Sequence, residues 1–511
     1  MSFQSLTIIR ILLALTGMGL AFGYYLYRQR DGGRATPGRI YTAALVCCAG
    51  LGLYTYLGLG PQFRNTTAVN VMNPHDFFHY YVGAKYHREL GYFDLYECSL
   101  IADHETTKSI DPTWRIRDLR TYGYRTAAQV TAHPQHCRSL FSNARWAEFK
   151  DDVRFISRLM APSRWNEVLR DKGYNATPIW TRFIATLTDW APLTSAVGLW
   201  GLLGLDYFYT AIAFVVVGLT FGWRNGLLVI LFWGVNYMTS TDFVKGSVSR
   251  VDWVLCMLLA LCLLQRGRHA WAGLAAGLAT ALRIFPVLFF VGLACKALHT
   301  VLRTRRLPRE YLRFLAGFVA SLGLLAGLTS LTGHDRERWR DFSVKIASHD
   351  QQIAGFRVGL KYALIEPGPG AGSARKQLES KQHIWWIAQT LMLAAVFLAS
   401  RRLADHETLG VSFLCVFFLT APTFYYYQML VIPFMLFLPD LRRRAHAVGL
   451  AAFFGWCVLG YVLRLNWQLG LTLSHWLSWS LLGLCAVIVL VVLAAQHEGQ
   501  PDAPRPLALP Q

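Results

Sequence analysis

The sequence predicts an all-α, polytopic membrane protein, and three observations carry that reading. Its 511 residues are 54% hydrophobic and only 16% charged, and the apolar residues fall in long blocks, not at the spacing of soluble amphipathic helices. Several blocks reach the roughly 20 residues that a helix needs to cross a bilayer. The basic residues behind the net charge of +20 form short clusters between the blocks, the positive-inside pattern of cytoplasmic loops. They are not interleaved with aromatic residues on a polar face, so a nucleic-acid partner is not expected.

From the N-terminus the spans read Leu6–Tyr27, Ile40–Leu59, Leu205–Trp223, Val251–Gln265, Tyr311–Thr332, Ile384–Ala399, Val448–Leu465 and Trp476–Ala495. Apolar sequence remains between them, so the bundle is expected to exceed these eight helices. With the basic clusters at 28–34, 266–269, 303–309, 401–402 and 442–444 inside, the chain after Leu59 emerges outside. The first block has no basic n-region and no small-residue cleavage site, which reads as a retained span. The chain then divides into N-terminal helices (1–60), an external domain (61–190), a membrane bundle (191–333), a second external loop (334–383), a C-terminal bundle (384–495) and a disordered cytoplasmic tail (496–511). Within the second loop, the latter half of "EPGPGAGSARKQ" is expected to be mobile.

Eight of the ten cysteines fall in apolar spans or beside them, where a thiol behaves as a small apolar side chain. Cys98 and Cys137 remain, both in the external domain, which predicts a disulfide in an oxidising compartment.

Residues 270–297 are flanked by basic clusters on both sides, so this stretch should begin and end on one face. Arg283 and Pro286 mark its middle, and each half rises only about 20 Å as a helix. A re-entrant hairpin of two short helices satisfies both facts, provided other helices enclose its turn. Residues 408–438 read the same way around "APTFYYYQ" (421–428). Both turns and both external segments should converge on an external cavity at the membrane surface.

Candidate chemistry gathers in "HDFFHYYVGAKYHRELGYFDLY" (75–96). Asp76 reads either as a helix N-cap or as a general base that takes a proton from an attacking hydroxyl. In the second reading His75, Tyr80, Tyr81 and Lys85 line the substrate. Asp94, Glu97, Asp103 and Glu105 compete with Asp76 for the role of base, and most of them read as solvated surface. Arg283, an ionisable residue in an apolar stretch, either snorkels to anchor the turn or grips a lipid phosphate with its planar fork. His349, Asp350, Gln351 and Gln352 form either a solvated loop or a set of groups for sugar hydroxyls. Tyr425, Tyr426, Tyr427 and Gln428 read as interfacial belt or as pocket lining. Asp242, Lys245 and Arg250 make another short external turn, and Gly273 with Gly277 marks close helix packing. There is no HExxH, CxxC pair or DxD, so metal-independent chemistry is expected.

Together these pieces resemble glycosyltransferase family 87, the polyprenol-phosphate-mannose-dependent mannosyltransferases of the GT-C fold. The first external loop of that family has an Asp-Phe step, an aromatic-rich helix, a Gly and a Leu-Tyr step; here these are Asp76-Phe77, Tyr80-Tyr81, Gly91 and Leu95-Tyr96. "RGRHAWAGLAAGLATALRIFP" is similar to the family's Gly-Arg turn, Gly-Leu-Ala-rich helix and Lys-x-x-Pro step, with Arg283 in place of the Lys. "HDQQIAGFRVGLKYAL" is similar to a later family segment that reads Asn-Gln-Ser. Where the family has Gly-Gln-x-Asn, this chain has Gly246-Ser247-Val248-Ser249.

The resemblance spans Asp76 to about Pro433. It implies a GT-C-type bundle with re-entrant short-helix hairpins and interfacial helices in its external loops. It further implies a bacterial inner-membrane enzyme whose site faces the periplasm. Such an enzyme transfers a hexose, mannose in the family, with inversion from a polyprenyl-phosphate donor to a hydroxyl of an external lipid-linked or glycan acceptor. Asp76 would be the base and Arg283 the phosphate clamp, with no cofactor beyond the lipid-linked sugar. Two other readings stay open: a secondary transporter of a polar solute, although no related halves are found, and a GT-C relative that transfers an oligosaccharide or modifies protein.

Overall fold

The computed structural model describes residues 3–30, 38–57, 72–107, 110–239, 246–330, 335–368, 371–438, 441 and 443–497. Apolar blocks become helices because, in a bilayer, only hydrogen bonds made within the chain satisfy the backbone. Helices α1 (Phe3–Arg30) and α2 (Arg39–Leu57) precede a loop region built from α3 (Leu95–Thr107), α4 (Asn143–Ser157) and α5 (Pro178–Trp190). A small antiparallel hairpin there pairs Arg115–Arg117 with Tyr124–Thr126, and Cys98 is bonded to Cys137. The bundle continues through α6 (Ala196–Phe221), α7 (Trp223–Val235), α8 (Asp252–Gln265), α9 (His269–Leu282), α10 (Val291–Thr304) and α11 (Arg309–Ser330). After α12 (Asp335–Gln351) come α13 (Gln382–Ser400), α14 (Asp405–Leu419), α15 (Arg444–Asn466) and α16 (Leu471–His497).

Among the described residues, eight helical stretches are long and apolar enough to cross a membrane. Their outward side chains, such as Ile40, Leu219 and Leu391, are exposed and apolar, as lipid-facing positions must be. The chain is an all-α, multi-pass membrane protein.

One expected span is too short to cross, and one helix of crossing length stands where no span is expected. The expected span at Val251–Gln265 is a helix of only 14 residues, about 21 Å long and short of the roughly 30 Å hydrocarbon core. Conversely, Phe285–Thr304 is a span-length segment of 20 residues where a short leg ending near Ala297 is expected. A 3-10 turn (Phe285–Phe290) runs directly into α10, and the helix passes through Lys296 because Asp405 binds its ammonium at 2.7 Å.

Asp405 also bonds His269 at 2.8 Å, so the starts of α9 and α14 and the middle of α10 lie at one end of the bundle. α9 runs from there to Arg283, and α14 runs from there to Thr420. The two breaks therefore meet at the opposite end, where the Phe285 and Tyr426 rings lie 5.4 Å apart. A Cβ on Gly273 would strike the Phe314 carbonyl, and one on Gly317 the Ala270 carbonyl. Only glycine lets α9 and α11 approach this closely.

Residues 372–377, expected to be mobile, lie within an α-helix (Ala371–Ser380); the Ala, Arg, Lys, Gln, Leu and Glu of that helix all favour the conformation. Asp242, Lys245 and residues 498–511 of the expected tail lie outside the described residues.

Candidate active site at the broken helix ends

The segment after Met72 begins with Asn73 as its N-cap and Pro74 at the first helical position, where a missing N–H has no consequence. The Asn73 side chain accepts from the Asp76 backbone N–H at 3.4 Å, so Asp76 is not the cap. Its carboxylate turns into the protein and is buried, with Oδ1 accepting from His75 Nδ1 at 3.2 Å. The next turn, Phe78–Val82, is a π-helix, a feature frequent at functional sites. The His79 ring follows from it: Nδ1 bonds the His75 carbonyl at 2.7 Å and Nε2 bonds the Tyr96 hydroxyl at 2.6 Å.

Arg250 faces Asp76 from the turn before α8. The backbone N–H groups of Arg250 and Val251 donate to the Asp206 carboxylate of α6 at 2.5 and 2.8 Å, and Gln428 Nε2 donates to the Arg250 carbonyl at 3.2 Å. Ser249 has φ +50, a strained conformation for a non-glycine residue, and its hydroxyl donates to Asp252 at 2.9 Å. The guanidinium lies over the rings of Tyr80 at 4.2 Å and Tyr425 at 4.5 Å, a cation–π setting. Arg250 Nη2 is 3.7 Å from Asp76 Oδ2. Both Nη atoms and Asp76 Oδ2 are buried without a hydrogen-bond partner.

Arg283 lies at the end of α9, over the Trp180 ring at 5.0 Å. Trp180 is fixed by donating to Asp252 at 2.7 Å. Arg283 Nη1 donates to the Leu282 carbonyl at 2.7 Å, while Nη2 is buried with no hydrogen-bond partner. At 6% exposure this arginine does not snorkel to a surface; it lies inside the protein beside the Asp76 and Arg250 pair.

Burial alone would raise the Asp76 carboxyl, but the Arg250 charge and the His75 hydrogen bond outweigh it and hold the group below its ordinary value. Burial would lower His75, yet Asp76 and Asp171 bring it above the ordinary histidine value. Burial, with the charge on His75, pushes His79 down to about 4. At neutral pH the site therefore holds an ionised Asp76 and a neutral His79.

His75 Nε2 and His79 Nε2 lie 3.7 and 3.9 Å from Asp171 Oδ2. Among the described residues, these three form a group whose ligand atoms are close enough to hold a metal ion. The Nδ1 bonds to Asp76 and to the His75 carbonyl are the outer support that such histidines have. The signal in the sequence is the pair of histidines four residues apart in "HDFFH", a spacing that belongs to neither HExxH, CxxC nor DxD.

The other expected residues divide. Tyr80, Tyr425 and Tyr426 surround Arg250. Gln428 holds the Arg250 backbone, and the Tyr427 hydroxyl donates to the Val358 carbonyl at 2.9 Å; these two position the site and do not line it. Lys85 and Tyr81 are corrections, because neither faces the site. Lys85 is buried against Asp152 at 2.7 Å and Glu148 at 2.8 Å, and it donates to the Tyr81 hydroxyl at 3.2 Å. His349 joins a separate basic group. Asp350 is exposed and 3.6 Å from Arg357, Gln351 is exposed and Gln352 partly so. The competing acids are not loose surface charges: Asp94, Glu97 and Glu105 pair with Arg120, Arg125 and Arg138, and Asp103 accepts from Trp165 at 2.9 Å.

Compared with protein-family models, with curated proteins and with solved structures, the chain matches none. The reading of the site rests on its own geometry.

Proposed function

We propose that the protein is an inverting glycosyltransferase that moves a hexose from a polyprenyl-phosphate donor to a hydroxyl of a glycan or glycolipid acceptor. The observation that carries this reading is the meeting of one buried, ionised carboxylate with two buried guanidiniums that keep unused N–H donors at the ends of broken membrane helices. The resemblance to family 87 supports it, and under it the site faces the periplasm from a bacterial inner membrane.

In this reading the donor phosphate takes the free N–H groups of Arg250 and Arg283, which match phosphate oxygens in geometry and charge. Once the phosphate engages Arg250, Asp76 Oδ2 is released to accept a proton. The acceptor oxygen attacks the anomeric carbon, its proton passes to Asp76, and the bond from that carbon to the phosphate oxygen breaks with both electrons leaving on the phosphate. The two arginines stabilise the charge that develops there. Attack opposite the leaving group inverts the anomeric centre.

The test is transfer by the purified protein in nanodiscs, supplied with labelled polyprenyl-phosphate hexoses and an acceptor extract. Transfer is expected, with undecaprenyl phosphate affinity at least tenfold weaker in Arg250→Gln and Arg283→Ala and partly kept in Arg283→Lys. Absence of transfer from every polyprenyl-phosphate hexose, with uptake of a polar solute into proteoliposomes, overturns the reading in favour of a transporter.

A further inference from the structure

Asp171 also faces a second group of charges, which the transfer step does not use. Lys345 on α12 is fully buried, and its Nζ has no hydrogen-bond partner. The ammonium lies 4.8 Å from the Tyr122 ring, and a Cβ at Gly173 would approach it to 3.2 Å. Gly173 has φ +77, a conformation that favours glycine. Its N–H donates at 2.8 Å to the same Tyr96 hydroxyl that bonds His79, which ties this group to the Asp76 segment. Arg357, also buried, donates to the His349 carbonyl at 2.8 Å. The charges of Arg357, Lys172 and Lys345 all act on the His349 ring, whose Nδ1 has no hydrogen-bond partner.

Asp171, whose charge acts on Lys345, is 44% exposed at its side chain. Arg357 is 3.6 Å from the exposed Asp350, so two exposed acids accompany the three cations Lys345, Lys172 and Arg357, where buried cations are ordinarily paired. A polyanion would supply the missing charge and would accept from Lys345 Nζ. Arg283, by contrast, is acted on most strongly by Tyr426, Asp252, Tyr80 and Arg250. The two basic groups are distinct and are linked through Asp76, His75 and Asp171.

We propose that Lys345, Lys172, Arg357 and His349 bind a phosphate group of the acceptor, which makes the acceptor a phosphate-bearing glycolipid and not a neutral glycan. The anion site stands on its own geometry, while its assignment to an acceptor rests on the transferase reading.

The test is calorimetric binding of inorganic pyrophosphate to the whole protein in nanodiscs, alone and with saturating farnesyl phosphate as a stand-in for the donor. Pyrophosphate should bind in both cases, at least tenfold more weakly in Lys345→Met and in Lys172→Gln, with farnesyl phosphate binding retained. Lys172 is only partly buried, so its variant keeps the test decisive if Lys345→Met does not fold. No pyrophosphate binding, undiminished binding in the folded variants, or full competition by farnesyl phosphate overturns the second site. Neither measurement requires turnover, so failure of the transferase reading is seen separately. Where transfer is observed, the KM for a phosphate-bearing acceptor should rise at least tenfold in Lys172→Gln, more than kcat falls. An unchanged KM overturns the acceptor assignment.

Discussion

The Arg250 guanidinium lies 3.7 Å from the Asp76 carboxylate, close enough to hold its charge and too far to form a hydrogen bond. Asp206, 44 residues earlier in sequence, fixes the Arg250 backbone from within a span, and Asn73 releases Asp76 from capping. The pair is positioned from elsewhere, so in the proposed transfer the guanidinium would exchange a carboxylate for a phosphate without unfolding the turn that carries it.

Asp76→Asn should reduce the transfer rate by roughly 10²- to 10⁴-fold, the usual contribution of a positioned base, with donor binding kept. Because Arg250 loses its anion, stability should also fall by about 1–3 kcal/mol. Single-turnover transfer and Tm measured together check this. Full activity in the Asn variant would remove Asp76 as the base.

Acidity gives a second check. His75 is raised above its ordinary value by Asp76 and Asp171, against the effect of burial. The stabilisation from its proton is complete below the unfolded histidine value of about 6.5 and is lost as pH rises through the higher folded value. Asp76 is shifted down, so its contribution persists at neutral pH and disappears only on acidification below the ordinary carboxylate range. The Tm should therefore decline as pH rises above the ordinary histidine value of about 6.5, and His75→Gln should flatten that decline. An equal slope in the variant would assign the effect to another group.

Lys85→Met separates structure from chemistry. It leaves Asp152 buried without its ammonium partner, a loss of about 3–5 kcal/mol for a broken buried pair. Tm should drop sharply, while undecaprenyl phosphate affinity in the folded fraction stays as in wild type. A selective loss of ligand affinity at unchanged Tm would return Lys85 to the substrate site.

Cys98 and Cys137 close a loop with a sequence separation of 39, worth about 4 kcal/mol in the chain-entropy model. The double Ser variant should melt lower, and the wild type should respond to reductant where the variant does not. Alkylation of both thiols in native wild-type protein would contradict the bond.

What the sequence determined by itself is what depends on short-range chemistry. Membrane spanning is legible because apolar length is a local property. The breaks beside Pro286 and Pro422 are legible because proline and a mid-block charge interrupt a helix wherever they occur. Arg283 is legible as a candidate on the same ground, since an ionisable group in an apolar stretch needs a reason to be there, and Asp76 because it stands in a cluster of ionisable residues beside a span. The tertiary structure decided everything that depends on which groups meet. Lys85 looks like a site residue until Asp152, 67 positions away, takes its charge. Arg250 looks like one more loop arginine until Asp206 and Gln428, from two different helical segments, aim it at Asp76. Lys345 looks like one polar residue in a charged helix until the fold buries it beside Gly173. In each case the deciding quantity is the free energy of burying a charge with or without a partner, and partners distant in sequence are brought together only by packing.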